Sequence, residues 1–223
     1  MRKSTNLYSE YAHEFSQTRL SPWRGWFEIL KYLKKNNLRV LDLGCGNGRF
    51  LKFLIDNNIK FSSYVGVDNS EAMLNLAKSR NYETTSSFSF FCFDLEEDNW
   101  SVLQGFSFDF VVAFGLFHHF ESKISRITFF KKVENLLEKE GIFILTIWQF
   151  LKDPKLKEKI IEDLGENNYL LSFGQKGAVR FVHNTTEEEL REILNNCKLK
   201  LIDEFCADGK NNNLNKYEVF KKK

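Results

Sequence analysis

From Leu38 onward the chain alternates between short, almost wholly apolar runs and longer stretches in which apolar residues recur every three or four positions. The short runs predict strands buried on both faces, as in a parallel sheet. The longer stretches predict amphipathic helices. Strands fall at Leu38–Leu43 and at 64–68, 88–93, 109–114 and 142–148. Helices fall between them at 48–57, 70–79 and 122–137. Ser70 is an N-cap for the second, and Glu140-Gly141 ends the third. Two helices at 8–15 and 23–35, broken near Ser21-Pro22, precede this core. The polar stretch 152–175 reads as one short helix near 155–164 and then a loop holding Gly174 and Gly177. A helix at 185–196 follows, with Glu187, Glu188 and Glu189 in its first turn, where they favour the helix dipole. Residues 199–206 and 214–220 read as a final hairpin. Five alternating strands plus that hairpin predict an α/β fold: a Rossmann-like, seven-stranded, mostly parallel sheet with an antiparallel last strand and helices on both faces.

The first strand runs straight into a glycine-rich turn, Val40-Leu41-Asp42-Leu43-Gly44-Cys45-Gly46-Asn47-Gly48. The spacing is G-x-G-x-G, not the G-x-G-x-x-G of a dinucleotide site. Asp42, two residues before the first glycine, would repel a phosphate and suits an ammonium group. The second strand also ends in an acid, Asp68, followed by Asn69, where a carboxylate can accept from ribose hydroxyls. Two hydroxyls, an ammonium and no phosphate describe S-adenosylmethionine. The alternative is a structural glycine turn with Asp68 as a helix cap.

Composition narrows the setting. A chain of 223 residues, 43% hydrophobic and 28% charged, suits one domain with a sizeable core. Its parts are the N-terminal helices (1–36), a cofactor-binding core (38–148), an insert (152–184) and a C-terminal helix and hairpin (185–223). The insert would stand above the carboxyl ends of the strands as a lid or substrate segment, or as a mere surface excursion. No apolar stretch approaches a membrane span, and residues 1–6 lead into no signal core, so a cytoplasmic protein is expected. Cys45, Cys92, Cys197 and Cys206 are scattered without a C-x-x-C pair, which argues against a zinc site or a disulfide framework. A net charge of +2 cannot drive nucleic-acid binding through the whole-molecule field, which leaves a local basic patch as the open route. The Lys221–Lys223 tail reads as solvated.

The glycine turn, Asp42 and Asp68 resemble the class I S-adenosylmethionine-dependent methyltransferases. The resemblance implies contacts from Asp42, Gly44, Cys45, Gly46, Asn47, Gly48, Asp68 and Asn69. It adds Asp94 and Leu95 after the third strand, on the adenine side, and Phe114 after the fourth. Four further segments resemble the tRNA wobble-uridine methyltransferases that esterify 5-carboxymethyluridine. They are Phe15, Ser16, Thr18, Arg19, Pro22 and Trp23 before the core; His118-His119 after the fourth strand; Trp148 ending the fifth; and Arg180-Phe181-Val182-His183. The chain departs from that family at Leu20, at Ala113-Phe114-Gly115 and in a shorter segment between Trp148 and Arg180.

On that resemblance Arg19 and Arg180 hold the acceptor carboxylate, which guanidinium groups bind bidentately. His119 and His183 hydrogen-bond the substrate, and Trp148 stacks on the base or walls the pocket. It implies tRNA as substrate and a small zinc-binding activator protein on an apolar sheet edge beside the third strand, where Phe88, Phe90, Phe91 and Phe93 suit such an edge or, equally, a core strand. A small-molecule methyltransferase on the same core is the alternative. An amine or hydroxyl acceptor would then call on His118 or His119 as base. A third reading is a protein that binds without turnover.

Overall fold

The computed structural model describes residues 11–18, 21–96, 100–174 and 178–223. Strand β1 (Leu38–Leu43) hydrogen-bonds in parallel to β2 (Phe61–Asp68) on one side and to β4 (Phe108–Ala113) on the other. Strand β3 (Ser87–Cys92) continues the sheet beyond β2, and β5 (Leu137–Trp148) continues it beyond β4. Alternation along β1 sends Val40 and Asp42 to one face and Leu41 and Leu43 to the other. On the first face Val40 packs with Trp26, Phe50, Phe53, Phe110 and Tyr217, beneath α2 (Gly25–Ile29) and α3 (Arg49–Asp56). On the second face Leu41 and Leu43 join Val65, Val111, Phe129, Phe130 and Phe143, beneath α5 (Lys123–Leu136). Helix α1 (Ala12–Gln17) precedes the core, and α4 (Glu71–Lys78) starts on a Ser70 cap that accepts from the Met73 N–H. Ser122 and Ser125 form a reciprocal capping box on α5.

The core strands fall where the apolar runs predict them, while their surroundings differ in three places. Helix α5 stops at Leu136, and pairing of β5 has already begun at Leu137. Leu137 faces Phe108 and Ile142 faces Phe110, so residues 138–141 bulge out of the ladder. Gly174 of the expected loop is a turn residue and Gly177 lies outside the described residues, while the helix over 155–164 shrinks to α6 (Pro154–Lys157), capped by Asp153. After it comes an antiparallel sheet of β6 (Ile160–Gly165), β7 (Asn168–Phe173) and β8 (Ala178–His183). Glu166 and Asn167 turn β6 into β7 with φ of 51° and 61°, the left-handed pair that a two-residue hairpin demands. The N-terminal pair also differs: among the described residues the first helix is Ala12–Gln17, with residues 8–10 outside them, and α2 runs into a single 3-10 turn at Leu30–Tyr32.

Helix α7 (Glu187–Leu194) then adds Leu190 and Ile193 to the second face. Strands β9 (Leu199–Ala207) and β10 (Asn215–Lys222) complete the sheet order β3-β2-β1-β4-β5-β10-β9, with β10 antiparallel to both neighbours. This is the seven-stranded, mostly parallel Rossmann-like sheet that the sequence predicts. No helix among the described residues is long and apolar enough to cross a membrane.

Candidate active site

Where β1 ends, the backbone must reverse into α3. Gly44, Gly46 and Gly48 take φ of 75°, 52° and 73° to do so. The N–H groups of Gly44 and Cys45 donate to the Val67 carbonyl at 2.8 and 2.9 Å, strapping the turn onto β2. A Cβ on Gly48 would stand 2.1 Å from the Tyr82 hydroxyl, so no side chain fits beneath the turn.

Two carboxylates frame this turn. Asp42 is buried, and burial pushes its carboxyl up to about 7. The Tyr64 hydroxyl, donating at 2.6 Å, and the Arg49 charge oppose the rise, while the Asp68 charge adds to it. Asp68 accepts the Gly46 N–H on one oxygen and the Ser70 N–H on the other, each at 2.9 Å. Burial raises its pKa against those bonds. Ser70 itself caps α4, so Asp68 is a staple between glycine turn and helix, not the cap. With the Asn69 N–H also bonded to it, the carboxylate keeps one lone pair for a ligand hydroxyl.

A cavity of about 860 Å³ opens over the turn. Asp42, Gly44, Cys45, Gly46, Asn47, Asp68, Asn69 and Phe114 line it. Asp94 and Leu95 line a smaller hollow of about 70 Å³ beside it, which shares Gly44, Asp68, Asn69 and His119 with the large one. Every residue expected at the cofactor is therefore on a wall except Gly48, which lies under the turn. Asn47 donates to the Ser16 hydroxyl at 2.7 Å and so ties α1 to the glycine turn.

The far half of the cavity is built by the 3-10 turn Phe117–His119, by Trp148 at the end of β5 and by the insert. The His118 and His119 rings lie 4.1 Å apart, and His118 lies 5.0 Å from Trp148. Arg180 on β8 stacks its guanidinium 4.6 Å over Trp148 and 4.9 Å over Phe173. Burial, reinforced by the Arg180 charge, pushes His119 down to about 3. Burial, His119 and Arg180 push His118 well below its ordinary range. Both imidazoles are neutral at pH 7, facing a fixed cation. His118 Nδ1 is buried with no hydrogen-bond partner among the described residues.

Other expected contacts fall elsewhere. His183 does not line the cavity. Its Nδ1 is 2.8 Å from the Asn168 side chain and its Nε2 is 2.6 Å from Glu189, which also takes Arg126 at 2.6 Å. Both ring nitrogens are thus committed to tying β8 to α7, and a hydrogen bond from His183 to substrate is not what this placement offers. Trp148 has Arg180, His118 and Phe150 against it, which makes it a wall of the pocket. Arg19 lies outside the described residues. Lys52 on α3 is paired with Asp56. The sequence reading overlooked Tyr64, Arg49 and Lys159. Tyr64 was open to detection, because its register partner is Val40, on the same face of β1 as Asp42. No group of three or more His, Cys, Asp or Glu side chains among the described residues is placed to hold a metal.

Residues 40–141 match the family model described as a methyltransferase domain. The tRNA (carboxymethyluridine(34)-5-O)-methyltransferase alkbh8 of Xenopus tropicalis is 29% identical over 159 residues, 70% of this chain. The chain spans only 23% of that relative's length. The carboxy-S-adenosyl-L-methionine synthase of Campylobacter concisus is 28% identical over 184 residues, 79% of this chain and 75% of that protein. Among solved structures, an S-adenosylmethionine-dependent methyltransferase from Clostridium acetobutylicum superposes with a TM-score of 0.71 at 18% identity, covering 97% of this chain and 99% of that one. A chain from the complex of the Haloferax volcanii Trm112 methyltransferase activator with a putative methyltransferase gives 0.70 at 15% identity, covering 98% and 96%. Residues 40–141 thus resemble a methyltransferase domain, and the chain as a whole has the fold of the class I S-adenosylmethionine-dependent methyltransferases.

Proposed function

We propose that this chain is an S-adenosylmethionine-dependent methyltransferase that esterifies a carboxylate carried by a modified wobble uridine of tRNA. The observation that carries the reading is Arg180, stacked on Trp148 beside two histidines of depressed basicity. A carboxylate is already ionised at neutral pH, since its ordinary pKa is about 4. It needs a cation to position it and dry surroundings to bare its oxygen, and no base. An amine or hydroxyl acceptor would need a base, and an imidazole held near 3 is a poor one. S-adenosylmethionine, when bound, supplies an electrophilic methyl group on a sulfonium. A carboxylate oxygen forms the new O–C bond as the S–C bond breaks, and the bonding pair stays on sulfur. No proton moves.

In this reading Asp42 holds the ammonium of the cofactor and Asp68 its ribose, with Asp94 and Leu95 at the adenine. Arg180 aligns the acceptor carboxylate, and neutral His118 and His119 donate to its surroundings. The wobble-uridine relative supports the acceptor. A small zinc-binding activator fits the free edge of β3, where Phe88 is 41% exposed, and the Trm112-bound neighbour supports such a partner. A reducing cytoplasm goes with four unpaired cysteines. The Campylobacter relative, which matches over more of its own length, favours a second reading in which the acceptor is a small molecule. Transfer of labelled methyl to bulk tRNA, with and without activator, separates them. Alkali-labile label on tRNA is expected. Label that survives alkali removes the carboxylate, and label found only on a metabolite extract moves the assignment to the second reading.

A further inference from the structure

The rim of the cavity carries a charge imbalance that methyl transfer does not use. Residues 152–159 hold Lys152, Lys155, Lys157 and Lys159 against two acids, Asp153 and Glu158. All four lysines are exposed, and Leu156 and Lys159 line the cavity, so this segment is its edge. Among the described residues no carboxylate pairs with any of the four. Lys31, Lys35, Lys52, Lys123, Lys216 and Lys221, by contrast, each face an acid. Asp153 is committed elsewhere, capping α6 by accepting from the Lys155 and Leu156 N–H groups.

Across the cavity the lining includes Arg24 and Gly209. Arg24 donates to Asn212 at 3.2 Å, and Lys210 stands exposed on the same loop. That loop is fixed by buried Asp208, which accepts from the Gly25 N–H, the Asn215 amide and the Tyr217 hydroxyl. Unpaired cations on one edge of a deep cavity attract a polyanion and are screened by salt.

We infer that Lys152, Lys155 and Lys157 form a phosphate track, along which the backbone of a single-stranded RNA loop lies while one base enters the cavity. The inference rests on the tRNA reading and names where the RNA lies. Each phosphate contact in a single strand contributes about 0.7 to the slope of log K against log salt.

The test is anisotropy of a fluorescent RNA hairpin with a uridine-containing loop, titrated between about 50 and 200 mM salt. The variant is Lys152→Ala/Lys155→Ala/Lys157→Ala. The control, Lys60→Ala/Lys139→Ala/Lys200→Ala, removes equal charge from exposed positions elsewhere. The track variant should lose about 2 from the slope, so that a fourfold rise in salt costs it about fifteenfold less affinity than wild type. The control should keep the wild-type slope. Calorimetry with S-adenosylhomocysteine shows that each variant is folded. An unchanged slope in the track variant, or an equal loss in the control, overturns the track alone. A wild-type protein that binds no RNA even at low salt overturns the track and the tRNA reading together.

Discussion

Deleting one oxygen atom tests the electrostatics of the cofactor end. Tyr64 donates to Asp42 at 2.6 Å, and burial holds that carboxyl at about 7. Tyr64→Phe keeps the ring and removes the donor. A hydrogen bond to a charged group is worth about 1.5–3 kcal/mol, or about 1–2 pH units, so Asp42 moves to about 8–9. Only the ionised carboxylate attracts an ammonium. About half is ionised at pH 7 in the wild type and about 1–10% in the variant, so affinity for S-adenosylhomocysteine falls about five- to fiftyfold. Calorimetry between about pH 5.5 and 7.5 reads the shape. Wild-type affinity climbs about tenfold per unit at the acid end and levels near 7, whereas the variant keeps climbing. The ligand's own α-amino group, with a pKa of about 8, sets the upper limit of the window. A wild-type curve that is flat there, or a variant curve superimposed on it, refutes the assignment of Asp42. The same shift opposes folding of the cofactor-free chain. A folded pKa raised above the ordinary 3.8 gives stability that is full below 3.8 and lost as pH rises to about 7.

His119 has the opposite sign: a folded value of about 3 against an ordinary 6.5 means stability is present above 6.5 and lost as pH falls. His119→Asn should flatten the acid side of a stability–pH curve by about 1.4 kcal/mol per unit, read by urea titration between about pH 6 and 4. Gly48→Ala places a methyl group 2.1 Å from the Tyr82 hydroxyl at a φ of 73°. It should cost at least about 2 kcal/mol, or a Tm lower by about 4–8 °C, partly recovered with Tyr82→Ala. Arg126 is 5% exposed against Glu189, so Arg126→Ala should cost about 3–5 kcal/mol in denaturant, whereas replacing both partners by apolar residues should cost much less. Arg180→Ala should lower kcat/KM for the acceptor about 10²-fold or more with cofactor affinity unchanged. Arg180→Lys should recover little, since lysine has no planar fork to lie on Trp148.

The glycine turn and the carboxylates that frame it were legible because their requirements are local. A wholly buried strand, a carboxylate and a turn that excludes Cβ atoms must be contiguous in sequence, and they are. The insert was not legible, because β6 is mostly exposed and neither of its faces shows a clean period. Its hairpin turns on Glu166-Asn167, without the glycine that usually marks such a turn. His183 shows the other failure. A histidine beside an arginine in an apolar strand suggests chemistry, but its partners, Asn168 and Glu189, lie on other elements and appear only on folding. The basic rim escaped notice because its lysines alternate with acids in sequence; their difference lies in which ones find partners.

Strand β8 changes character within six residues. Ala178, Val179 and Arg180 retain solvent contact, whereas Phe181, Val182 and His183 are buried. Its inner end is bolted through Glu189 to α5 and α7, and its outer end meets the turn beside Phe173 and Gly174 at the cavity. The strand is built as a cantilever. Amide hydrogen exchange should slow by orders of magnitude from Val179 to Val182, as the cost of opening climbs from near zero toward that of global unfolding. The wall on which Arg180 stands is therefore anchored at its foot and only partly covered at its tip.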